Sequence, residues 1–141
     1  SMGYEIEMSI DIRKERNISN IMTNATSIAY THECDKHYRF TDYEGSRRKI
    51  KRNSYVMIFC FQEEKFNNMA NFLKEVIAKY KKKIQIESIY EIEHNNLIYA
   101  SSYYMDLIEK EQKDNYKHRR QTRSFSETDY FILRDILKKN Y

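Results

Sequence analysis

Runs of basic residues carry the clearest chemical signal in this chain: Arg13, Lys14 and Arg16, then Arg47, Arg48, Lys49, Lys51 and Arg52, then Lys79, Lys81, Lys82 and Lys83. Guanidinium and ammonium groups clustered in this way hold phosphate oxygens through charge-assisted hydrogen bonds, a contact that grips the backbone of a nucleic acid and reads little of its sequence. The expected contact set is Arg13, Lys14, Arg16, Arg47, Arg48, Lys49, Lys51, Arg52, Lys81 and Lys82. A formal net charge of +4 favours nucleic acid or another polyanion as partner without choosing between them. The same runs, at helix ends and in loops, also suit plain solvated surface.

Other groupings promise less. His32, Cys34 and His37, around Asp35, offer zinc donors, and His94, His118 or Cys60 would supply a fourth, but their spacing matches no closed zinc knuckle. Cys34 beside a histidine lacks a nameable third group to orient a nucleophilic pair. Glu7 and Asp11 with Asp42 and Glu44 have the residue types of a two-metal carboxylate centre, yet no paired acidic hairpin or nucleotide-cradling glycine loop accompanies them. Residues 52–59 lack the glycines of the third-strand motif of RNA-recognition domains, and Glu5, Glu7, Ser9 and Asp11 would stand where bases should stack. Arg119 to Thr122 and Arg123 to Ser126 place hydroxyls after arginines, as basophilic kinases prefer, although Ser126 also suits a helix cap. The expectation is a non-enzymatic binding protein with no cofactor and no metal.

The elements that must position these groups are legible from periodicity. The length of 141 residues suits one domain, and 40% hydrophobic with 33% charged residues excludes both a disordered tail and a membrane protein. No apolar run reaches the roughly 20 residues a bilayer span needs, and the N-terminus lacks the basic-then-apolar plan of a signal peptide. With Cys 2 there is no disulfide scaffold, so an intracellular, cytoplasmic location is expected.

Strict alternation of Tyr4, Ile6, Met8, Ile10 and Ile12 with polar residues predicts a first strand. Asn17 is placed to cap a helix ending near His32. Residues 37–43 and 54–61 read as a hairpin with a basic loop, and Phe66, Met69, Ala70, Leu73, Val76, Ile77 and Tyr80 form a helical stripe. Residues 84–92 suggest a further strand with a phase slip near Ser88, followed by a turn and the short apolar run 97–100. Ser101 or Ser102 is placed to cap a helix through about Gln112, and Ser126 with Asp129 resembles a capping box before a last helix.

The order βαββαβ predicts a ferredoxin-like α+β fold, an antiparallel sheet of strand order 4-1-3-2 with helices on one face. The expected division is a core over residues 1–100 and a helical extension over 101–141, with a basic linker at 113–125, packed on the same domain. In that topology the basic runs and the start of the first helix share one pole, and Glu33, Asp35, Glu63, Glu64, Glu91 and Glu93 share the other. Such polarity also suits a protein-interaction or self-association module, with neighbours meeting head to tail as a homo-oligomer.

Residues 97–105, Leu-Ile-Tyr-Ala-Ser-Ser-Tyr-Tyr-Met, residues 125–130, Phe-Ser-Glu-Thr-Asp-Tyr, and the first strand resemble uncharacterised proteins of giant amoeba-infecting DNA viruses, of the mimivirus kind. The resemblance implies a viral protein of the host cytoplasm and transfers no functional residue.

Overall fold

The computed structural model describes residues 3–40, 54–115 and 127–140. Its strands are β1 (Gly3–Asp11), β2 (Lys36–Phe40), β3 (Ser54–Gln62), β4 (Gln85–Glu91) and β5 (Asn96–Ala100). Its helices are α1 (Ile18–Thr31), α2 (Phe66–Tyr80), α3 (Ser102–Asn115) and α4 (Glu127–Asn140). No helix among the described residues is long and apolar enough to cross a membrane.

Side chains along a strand alternate between faces, so Tyr4, Ile6, Met8 and Ile10 of β1 share one side of the sheet, where they are buried. Their cross-strand partners Phe61, Phe59, Met57 and Tyr55 of β3 join the same side. The inner stripe of α2, which includes Phe72, Leu73, Val76 and Ile77, closes over them. Phe72 meets Phe59 and Phe61 in tilted ring contacts, with centroids 5.0 and 5.5 Å away. Ile21, Met22, Ala25, Ile28 and Ala29 of α1 complete this layer, as the 3.6-residue period predicts.

The result is a mixed α+β protein with a five-stranded antiparallel sheet of order β2-β3-β1-β4-β5. The sheet carries one strand more than expected. Residues 96–100 extend it beyond β4, so β4 is not the edge strand that a four-stranded sheet would make it. The phase slip near Ser88 is a β-bulge: Glu7 pairs with Ser88 and Met8 with Ile86, which leaves Glu87 as the extra residue.

Several local expectations change. The side chain of Asn17 makes no capping bond to α1. β1 ends at Asp11, and Ile12 is exposed in the turn that follows. Glu63 and Glu64 stand in a 3-10 turn ahead of α2. Ser101 caps α3, its Oγ accepting the Tyr104 N–H at 3.1 Å. Ser126 and residues 41–53 lie outside the described residues, so the second capping box and the basic hairpin loop do too.

On the far side of the sheet, polar residues near the bulge are buried. Glu7 and Ser9 are 3% and 2% exposed, and Glu87 is fully buried. Each Glu87 carboxylate oxygen accepts a hydroxyl at 2.7 Å, one from Ser9 and one from Ser101, so the bulge ties β1 to the start of α3. Tyr90 and Tyr104 form a small second core beside it, their hydroxyls 3.2 Å apart. On the helix side, Leu133, Ile136 and Leu137 of α4 enter the main core next to α2.

Candidate functional site

β1 runs into its turn at the pole where α1 begins, α2 ends and β4 starts. The pairings Ser9 with Gln85 and Asp11 with Ser54 fix that convergence. A cleft of about 420 Å³ opens there. Lys14 and Arg16 enter it from the turn after β1, and Lys83 enters from the segment after α2. Glu15 is the acidic residue on its wall.

α1 supplies a second wall. Asn17, Asn20 and Asn24 recur at the spacing that puts them on one helix face, and all line the cleft. The first-turn N–H groups of a helix have no intrahelical partner and carry the positive end of its dipole. No side-chain cap at Asn17 and no acidic residue in the first turn opposes that potential. Tyr80, the last residue of α2, lines the cleft too, and its buried hydroxyl has no hydrogen-bond partner among the described residues. A buried hydroxyl left in that state forgoes roughly 1 to 3 kcal/mol that an acceptor would restore.

The sequence-derived set thus divides. Lys14 and Arg16 line the cleft, but Arg13 does not; its guanidinium donates to the Asp11 carboxylate at 3.2 and 3.3 Å, so much of its charge is compensated. Lys81 and Lys82 occupy a 3-10 turn at the same pole without reaching the cleft. Lys81 holds a φ of 49°, and the turn it makes brings Lys83, absent from the expected contact set, to the cleft wall instead. Arg47, Arg48, Lys49, Lys51 and Arg52 lie outside the described residues. The chain leaves β2 at Phe40 and enters β3 at Ser54 at this same pole.

Among the described residues, the metal and nucleophile candidates have other partners, and His118 lies outside those residues. His32 pairs with Glu75 at 2.8 Å, and the His37 ring meets the Tyr30 hydroxyl at 2.8 Å. The Cys34 thiol donates to the carbonyls of Lys36 and Cys60, each at 3.3 Å. Burial pushes the thiols of Cys34 and Cys60 up to about 11, so neither supplies a useful thiolate near neutrality.

At the opposite pole, Glu33 accepts from Lys65 at 2.9 Å and from Asn68 at 3.0 Å. Glu91 closes the β4–β5 hairpin by accepting from His94, whose Nδ1 lies 3.0 and 3.1 Å from the carboxylate oxygens. That hydrogen bond raises the His94 imidazole above its ordinary value, and Glu93 and Glu63 act in the same direction.

Comparison with known protein families, with curated proteins and with solved structures finds no match to this chain.

Proposed function

We propose that this chain is a non-catalytic binding domain that contacts nucleic-acid phosphates through its basic pole, on a ferredoxin-like core extended by β5 and the two C-terminal helices. The observation that carries this reading is the cleft that Lys14, Arg16 and Lys83 line beside the uncapped start of α1. Lysine, arginine and helix N–H groups are the donors that phosphate oxygens take. Phosphates spaced along a strand would engage the cleft together with Lys81 and Lys82, and with the basic residues of 47–52. In a chain of viral origin, such a contact would act in the host cytoplasm.

Fluorescence anisotropy with short single-stranded RNA and DNA tests this over a salt series. Charge reversal at the cleft, Lys14→Glu, Arg16→Glu and Lys83→Glu together, is expected to weaken binding at least about tenfold and to flatten the salt slope by roughly 0.7 for each phosphate no longer neutralised. Unchanged affinity and slope in that variant would remove the proposal. Equal retention on heparin with no difference between RNA and DNA would assign the pole to polyanions generally.

Protein interaction or self-association is the second reading, and its supporting observation is on α4. Phe131 and Ile132 are adjacent there and exposed at 63% and 38%. Light scattering at low and high salt separates the two: oligomers that Phe131→Ser dissolves, without nucleic-acid affinity, would favour the second.

A further inference from the structure

The basic cleft has a second chemistry along its α1 wall. Asn17, Asn20 and Asn24 line it together with Lys14, Arg16 and Lys83, and the buried Ile21 stands among them. We propose that the cleft seats one unpaired nucleotide, its phosphate on the cations and its base edge on the carboxamides of Asn20 and Asn24, which deepens and rests on the phosphate-binding reading above.

Hydrogen-bonding capacity separates the asparagines from the cations. A carboxamide presents N–H donors beside an acceptor oxygen, and phosphate oxygens, being acceptors only, leave that oxygen unused. Nucleobase edges set donors beside acceptors, and asparagine meets such an edge with two bonds at once, as it does for adenine. Among the described residues, the Asn20 and Asn24 carboxamides have no hydrogen-bond partner. Asparagine disfavours helix interiors because its side chain competes for backbone groups, so two of them on one exposed face of α1 stand against propensity.

Charge and spacing follow the layout of a nucleotide. Lys14 and Arg16 precede α1, and among the described residues neither they nor Lys83 form an ion pair. Glu15 alone opposes them on the cleft wall, which leaves a surplus of positive charge for a phosphate. Glu15 also supplies the acceptor that an exocyclic amino group takes. Asn24 lies two turns along α1 from Asn17, roughly 10 Å at the α-helical rise, so the carboxamides lead away from the cations as a base leads away from its phosphate. The cleft volume of about 420 Å³ is toward the small end of ligand sites, which run from roughly 300 to 1,000 Å³. That space suits one nucleotide without a pairing partner.

An NMR titration of the full chain tests this with the four 5′-ribonucleoside monophosphates against ribose 5-phosphate, which keeps the sugar and phosphate and lacks the base. Asn20→Ala and Asn24→Ala, changes that favour helix and whose folding circular dichroism checks, assign the two side-chain NH₂ resonances. At least one nucleotide is expected to bind about fivefold or more tightly than ribose 5-phosphate, the lower end for a bidentate carboxamide–base contact, and to move both NH₂ resonances. The double alanine variant is expected to lose that preference. Ribose 5-phosphate bound as tightly as all four nucleotides, unmoved NH₂ resonances, or a preference that persists in the double variant would overturn the base contact. Anisotropy with the parent chain separates the two levels: oligonucleotide binding alongside any of those results leaves the phosphate reading standing, and absence of oligonucleotide binding ends both.

Discussion

Replacing Glu87 by alanine is the sharpest perturbation of the fold's least expected feature. The fully buried carboxylate accepts from Ser9 Oγ and Ser101 Oγ, each at 2.7 Å, and Ser101 in turn caps α3. Alanine leaves both buried hydroxyls without this acceptor, at about 1 to 3 kcal/mol each, and adds a cavity. Relief of the cost of burying a charge opposes this, but an unfilled hole recovers only part of it. The net expectation is a loss of about 2 to 4 kcal/mol in urea unfolding, with early hydrogen exchange at the amides of Tyr104 and Met105. Glu87→Gln keeps the shape: its oxygen accepts from one serine while its nitrogen donates to the other, so a loss of only about 1 kcal/mol is expected. A Glu87→Ala loss under about 0.5 kcal/mol, or equal losses in both variants, would refute the hydrogen-bonding account.

Other expectations follow from single interactions. A Cβ at Gly3 would run into the carbonyl oxygen of Phe61 on the paired strand, so Gly3→Ala should cost roughly 1 to 3 kcal/mol by thermal or urea unfolding; an unchanged midpoint would show that the strand end yields freely. The hydrogen-bonded guanidinium of Arg13 holds the Asp11 carboxyl below its ordinary value. A carboxyl lowered on folding contributes stability above its unfolded value, near 3.8, and loses it as pH falls through the lowered folded value. Arg13→Ala should therefore raise the Asp11 titration midpoint in a carbon-detected NMR titration and flatten the acid limb of stability; an unmoved midpoint would refute the pairing.

Much of the architecture was legible because burial imposes a period. Alternation in β1 and the stripe of α2 put Ile6, Met8, Leu73 and Ile77 in the core, and the broken phase around Ser88 marked the bulge. Residues 97–100 were visible as an apolar run, but their pairing with β4 depends on which sheet edge is free, which periodicity does not report. The site followed the same division. Sequence identified basic runs, yet only the turn at Lys81 decided that Lys83 lines the cleft, and only the neighbouring Asp11 decided that Arg13 is compensated.

By itself, the sequence determined where strands and helices fall and that charge of each sign comes in runs, because those properties are local or periodic. Tertiary structure decided what becomes of the polar residues: it buried Glu7, Ser9 and Glu87 on a face that alternation alone assigns to solvent, because whether a polar side chain meets water depends on which element packs over it.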